Sequence, residues 1–248
     1  MFQKIEGFIL KSQDYGETHK IVTLLTREMG KIGAIARGAK KTRSRMAAIT
    51  QPFIHGSFLV QTGKGLGTIQ QGEIMYSYRK IREDIFLTAY ASYMVELTDK
   101  LTEQKKYYPR LLEELLETMS RIESGQDAEV LTMMYEWKMY HVAGFSPVVK
   151  HCVTCDNPEA YAAFSIQEGG LLCSSCQHYD VHAIPVSEQI AKLLQIFSWI
   201  HITQVGDISI KENNKQIIRR IMDDYYEQYG GFYLKSKRFL QQMDKLKD

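Results

Sequence analysis

No stretch of this chain is both long and apolar. The longest run without Asp, Glu, Lys or Arg, Met46 to Gly63, is interrupted by Gln51, Pro52, His55 and Gln61, whereas a transmembrane helix needs about 20 consecutive apolar residues. Lys4, Glu6 and Lys11 precede any apolar region, so no secretory signal pattern opens the sequence. A cytoplasmic protein with no membrane partner is expected. Catalytic signatures are missing too: there is no G-x-S-x-G elbow, no H-E-x-x-H and no nucleotide-binding loop. Gly63-Lys64-Gly65-Leu66-Gly67 is glycine-rich but fits neither the P-loop nor the dinucleotide fingerprint, and reads as a hairpin turn. No internal repeat or low-complexity tract occurs. What remains is ordinary globular material, 44% hydrophobic and 24% charged over 248 residues, which excludes a disordered or fibrous chain and predicts one large domain or two smaller ones.

A dominant charge is also lacking, since 31 Lys and Arg face 29 Asp and Glu for a net of +2. The distribution is uneven. Residues 1–80 hold 13 basic and 5 acidic side chains, a net of +8, and the remainder carries −6. Such asymmetry is the footprint of a module that meets a polyanion, although chance clustering on a solvated face gives the same count.

The same 80 residues read as strands. Gly7–Leu10, Lys20–Leu25, Lys31–Ala36, Phe58–Val60 and Thr68-Ile69 are short apolar runs separated by Gly or polar turns. Glu28-Met29-Gly30-Lys31 is a tight turn in which glycine supplies a positive φ. Arg37 to Pro52 is too long for a hairpin and is instead the crossover that a five-stranded oligonucleotide-binding (OB) barrel requires. From Ile81 the period becomes helical: Phe86, Tyr90, Met94, Leu97 and Leu101 form one stripe, and Leu111 to Ile122 a second after Pro109. Asp127 caps a third helix, Ser187 a fourth, and a fifth through Ile218 and Met222 stops at Gly230-Gly231. The stripes are core-forming. An α+β protein is expected, with a barrel over 1–80 and a helical body over 81–248.

All four cysteines fall in one window of that body: Cys152-Val153-Thr154-Cys155, seventeen residues, then Cys173-Ser174-Ser175-Cys176. Two residues between sulfurs let one tight turn present both thiolates to one ion, and two such knuckles complete a tetrahedron. The spacing predicts a zinc-binding segment over 151–180, with one Zn²⁺ enclosed and no open position for chemistry. Two disulfides, a redox pair and four unrelated buried thiols are the competing readings; the first lacks an oxidising compartment, and the second accounts for one knuckle but not its twin. His151 and His178 flank the knuckles and could replace a cysteine, though four thiolates leave them beside the site.

The crossover Arg37-Gly38-Ala39-Lys40-Lys41-Thr42-Arg43-Ser44-Arg45 holds five cations in nine residues and no acid. Such residues neutralise phosphates and release condensed counterions, so the segment is a candidate DNA contact. Phe8, Tyr15, Phe53 and Phe58 could stack on bases, but are expected to fill the barrel. Lys235-Ser236-Lys237-Arg238 is a second basic run, read as a solvated helix face or tail.

Taken together, Tyr15-Gly16-Glu17, Ile21-Val22-Thr23-Leu24, Glu28-Met29-Gly30-Lys31, Arg37-Gly38-Ala39-Lys40-Lys41, Ser44-Arg45, Gln51-Pro52-Phe53 and Leu66-Gly67-Thr68 resemble the RecO family of bacterial DNA repair proteins. The helices, the four-cysteine insertion and Leu234-Lys235-Ser236-Lys237-Arg238-Phe239-Leu240 extend the resemblance over almost the whole chain. It implies an OB barrel, a helical body and a zinc-bearing segment in a nucleoid-associated protein that is not an enzyme. It further implies binding of single- and double-stranded DNA, annealing of complementary strands, and cooperation with RecR and the C-terminal tail of the single-strand-binding protein SSB to load RecA. By position it assigns DNA contacts to Lys31, Arg37, Lys40, Lys41, Arg43 and Arg45, and a pocket for the SSB tail to residues 81–248. A zinc-stabilised nucleic-acid-modifying enzyme and a protein-interaction scaffold without DNA binding are the alternatives from other classes.

Overall fold

The computed structural model describes residues 1–63, 65–206 and 208–244; Lys64 of the glycine-rich turn lies outside them. Every run read as a strand lies in one: β1 (Phe2–Tyr15), β2 (His19–Thr26), β3 (Gly30–Ala36), β4 (His55–Gln61) and β5 (Gly67–Tyr76). They close into a barrel in the order β1-β2-β3-β5-β4. Neighbours are antiparallel except β3 and β5, which run parallel with Ala34 opposite Gly67 and Ala36 opposite Ile69. A parallel pair needs a crossover, and the segment after β3 supplies it, carrying the short helix α1 (Arg45–Ile49) before β4 begins. This is the OB-type barrel of an α+β protein.

Strand periodicity decides what fills it. Ile5, Ile9, Val22, Leu24, Ile32, Ala34, Phe58, Val60 and Ile69 turn inward to form the barrel core, and Ile49 adds α1 to it with Met46 packed alongside. The strands run further than their apolar cores because polar residues occupy the outward positions, as Lys4 and Glu6 do in β1. Of the aromatics, Phe8, Phe53 and Phe58 are buried, but only Phe58 joins the barrel core; Phe8 packs instead on Tyr78, with ring centroids 5.9 Å apart. Tyr15 departs from the expectation: it ends β1 in the open, 49% exposed.

Gly30 begins β3 with φ +65°. Thr26 Oγ1 donates to Gly30 O at 2.8 Å and accepts from Met29 N at 3.0 Å, which fixes the turn between β2 and β3. A Cβ on Gly30 would lie 1.8 Å from Lys106 O, a backbone atom that no rotamer change can move. Gly30→Ala therefore combines a left-handed backbone with a steric clash, and should destabilise by about 2 kcal/mol or more. A chemical denaturation curve reads this directly, and an unchanged midpoint would contradict it.

Compactness divides the chain into residues 1–125 with 234–248, and residues 126–233. The change from strand to helix near residue 80 does not coincide with this division. Helices α2 (Arg79–Glu83), α3 (Ile85–Leu101) and α4 (Leu111–Glu123) stay with the barrel, and α8 (Lys235–Asp244) returns to it. Asp84 caps α3 by accepting from Phe86 N and Leu87 N at 2.8 and 3.1 Å. Glu96 of α3 accepts from Ser236 N at 2.8 Å and from the Ser236 hydroxyl, holding the first turn of α8.

The second unit contains α5 (Ala128–Ala143), α6 (Glu188–Trp199), α7 (Glu212–Tyr229) and a small antiparallel sheet of β6 (Tyr161–Ser165), β7 (Gly170–Cys173) and β8 (Ile184–Pro185) in the order β7-β6-β8. Asp127 and Ser187 cap α5 and α6 as expected. The helical stripes are core: Val130, Met134, Trp137, Ile190, Leu194, Phe197, Ile218 and Met222 are buried, and Tyr140 packs among Phe145, Tyr225 and Tyr226. Glu136, with no exposed surface, is answered by Arg219 Nη1 at 2.8 Å, as a buried carboxylate requires. Among the described residues no helix is long and apolar enough to cross a membrane.

Candidate metal centre and nucleic-acid interface

The first knuckle precedes β6 and the second closes β7, so the β6–β7 hairpin carries one to the other. Cys152 N donates to Asn157 O at 2.7 Å and Val153 N to Leu171 O at 2.8 Å, tying the first turn to β7. Asp180, buried below the second turn, accepts from Ser165 Oγ at 2.6 Å and from His182 N at 2.8 Å. The four Sγ atoms all lie within 4.8 Å of one another. Cys155 and Cys173 are 3.7 Å apart, close to the roughly 3.8 Å edge of a tetrahedron with metal–sulfur bonds near 2.3 Å. No disulfide joins them.

Their electrostatics favour a cation. Burial works to raise the Cys152 thiol, but backbone N–H groups of Cys173, Thr154 and Cys155 outweigh it and bring the group down to about 6. Cys176 moves the other way, to about 12, first through burial and then through the neighbouring sulfurs. A cluster that stabilises one thiolate and resists the next is completed by a soft divalent ion, which neutralises all four. The histidines are occupied elsewhere: His151 Nδ1 is 3.1 Å from Asp156 Oδ1, and His178 packs on Tyr179.

The basic crossover is a pinned loop. Gly38 N donates to His19 Nδ1 at 2.9 Å and Lys40 N to Thr18 O at 2.9 Å, fastening it to the turn between β1 and β2. Gly38 and Arg43 take positive φ, +69° and +60°, which folds the segment into successive turns before α1. Arg37, Lys40, Lys41, Arg43 and Arg45 are all exposed. Lys40 Nζ lies 2.8 Å from Asp14 Oδ2, and its hydrogen bond holds the Asp14 carboxyl below its ordinary value. The other four have no acidic partner among the described residues. Exposed Tyr15 adjoins Asp14 on the same strand.

Lys31 lies apart from this group. It is 5% exposed, its ammonium sits 3.2 Å from Asp99 Oδ1 and also donates to Asp99 O, and its carbonyl accepts from Lys105 N at 2.8 Å. The side chain joins the barrel to α3 and does not present its charge to solvent. Lys31→Met should leave Asp99 unpaired and lower stability by about 2 kcal/mol. The salt dependence of DNA binding should stay as in the parent protein; a flattened slope would return Lys31 to the DNA surface.

Sequence reasoning missed Asp14, His19 and Thr18 as anchors of the crossover, and Asp180 as the brace of the second knuckle. Only spatial proximity identifies them, although the neighbouring Thr18-His19 just before β2 is the kind of polar turn that holds a loop. Glu6, one of the five acids in the basic module, is engaged by Arg27 Nε at 2.9 Å and His55 Nε2 at 3.0 Å.

Comparison with known proteins agrees with this architecture. The family described as "Recombination protein O N terminal" matches residues 1–78, and "Recombination protein O C terminal" matches residues 82–238. The chain is 51% identical over 248 residues to "DNA repair protein RecO" of Bacillus velezensis, covering 100% of this chain and 97% of that one. It is 50% identical to the protein of the same name in Oceanobacillus iheyensis over 98% of this chain and 95% of that one, and 50% identical to that of Bacillus mycoides over 99% of each. With both halves matched and half of all positions shared along its length, the chain belongs to the RecO family of DNA repair and recombination proteins.

Proposed function

We propose that the chain binds single- and double-stranded DNA through the crossover of its barrel, anneals complementary strands, and acts with RecR and SSB to load RecA. The observation that carries this reading is the pinned loop on which Arg37, Lys41, Arg43 and Arg45 are exposed without acidic partners among the described residues. A rigid cationic surface screens the repulsion between two phosphate backbones and raises their local concentration, so strands pair faster without any bond chemistry or ATP. Tyr15 offers a face on which a base can stack. The second unit holds Zn²⁺ through Cys152, Cys155, Cys173 and Cys176; four thiolates close the coordination sphere, so the ion is structural.

RecR and the SSB tail enter from the family resemblance. The acidic, apolar-ended tail is expected in a pocket within residues 81–248. Binding of labelled single-stranded DNA across a salt series tests the DNA reading, with a steep fall in affinity as salt rises. A salt-independent or absent interaction would favour a protein scaffold, and metal-dependent cleavage of the probe an enzyme. For the tail, fluorescence anisotropy of a synthetic peptide at low salt must detect binding to the full-length protein.

A further inference from the structure

A concave groove of about 580 Å³ opens beside the barrel, bounded by β1, the Pro52-Phe53 corner, α3 and the first residue of α8. Ser12 pairs opposite Val22, a core residue, so Lys11 and Gln13 take the outer face of β1 and line the groove. Lys100 reaches it from α3 and Lys235 from α8. The two acids on its wall are already answered. Asp99 is paired with Lys31, and Glu96 accepts the backbone N–H and hydroxyl of Ser236 at the positive end of α8. Lys11, Lys100 and Lys235 are exposed and have no acidic partner among the described residues. Three cations facing one concavity repel each other, and a bound polyanion relieves that repulsion.

Resting on the DNA-binding reading above, we infer that this groove is a second phosphate-binding segment of the nucleic-acid surface, in which Lys11, Lys100 and Lys235 grip the backbone of a single strand that continues from the crossover. Both cationic segments belong to the unit that contains the barrel, which favours a long polyanion such as DNA over a small anion. Gln13 lines the groove, and the next residue, Asp14, holds Lys40 of the crossover. One strand of the barrel thus carries both cationic segments. The C-terminal basic run, which in sequence is only a charged tail, contributes Lys235 because α8 folds back onto the unit that contains the barrel.

Two full-length variants test this with a labelled oligothymidylate: Lys11→Gln/Lys100→Gln/Lys235→Gln, and Lys41→Ala/Arg43→Ala/Arg45→Ala. The groove variant should flatten the slope of log affinity against log salt by about 2, with binding at low salt weakened tenfold or more and an unchanged thermal midpoint. Oligothymidylate should also protect Lys11, Lys100 and Lys235 from amine acetylation in the unaltered protein. If only the crossover variant loses affinity, the groove inference is wrong and the barrel reading stands. If neither does, both fail. Protection by an acidic peptide but not by the oligonucleotide would overturn the inference and make the groove a peptide site.

Discussion

Cys173→Ser should purify without metal and melt its second unit at a much lower temperature, whereas the parent protein, prepared in reductant without chelator, should carry one zinc per chain. Cys173 is 2% exposed and serves two structures at once. Its sulfur completes the cluster, and its backbone pairs with Tyr161 to end β7 and donates to Cys152 Sγ at 3.4 Å. The surrounding core is small: Leu172 with the cysteines themselves, and Val153 and Ala183 at its margin. Such a core cannot hold the two knuckles unaided, although Phe164 of β6 packs on Tyr225 of α7. Structural zinc contributes about 10–16 kcal/mol to the folding of small zinc domains at neutral pH, as much as the whole stability of an ordinary domain. Losing one thiolate should therefore release the ion and unfold the knuckles. Metal analysis and a thermal melt read both consequences. DNA affinity should persist, because the crossover shares no residue with this unit. A metal-free parent protein, or a variant that melts like the parent, would leave the four cysteines as unrelated thiols, three buried and Cys155 exposed.

The barrel could be read from sequence because its strands are signalled locally. Lys20–Leu25 and Lys31–Ala36 are short apolar runs, and Gly30 between them marks a turn that only a positive φ can make. The cysteine spacing was equally plain, since two-residue knuckles need no tertiary information to bring sulfurs together. The sheet beside the knuckles was not, because β8 has two residues and β7 four, too few to establish a period. The short helix α1 was hidden for the same reason. Lys31 shows a different limit. The family resemblance assigns it to the DNA surface by position, but the partner that withdraws it, Asp99, is 68 residues away. The groove lysines, at positions 11, 100 and 235, could be assembled only by the return of α8.

The crossover carries the second large effect. Replacing Lys40, Lys41, Arg43 and Arg45 together by Ala should weaken binding to every DNA sequence alike, because phosphate contacts carry no base information. Lys40 already shares its charge with Asp14 at 2.8 Å, so its removal frees a carboxylate and costs little direct contact. The remaining three cations have no such partner, and each phosphate contact they lose should flatten the log–log salt slope by about 0.7 on single strands, for a total of about 2. At about 0.1 M salt this corresponds to an affinity drop on the order of 100-fold, and annealing should slow in parallel. Folding should be nearly untouched. The loop keeps its ties to His19 and Thr18 through the backbone of Gly38 and Lys40, and Ile49 still anchors α1 in the barrel core. A thermal midpoint within a degree or two of the parent would separate lost contacts from lost structure, since exposed substitutions shift stability by about 0.5 kcal/mol or less. If the variant binds with an unchanged slope, the five cations form only a solvated loop, and the DNA surface lies with Lys11, Lys100 and Lys235 only where their own variant loses affinity.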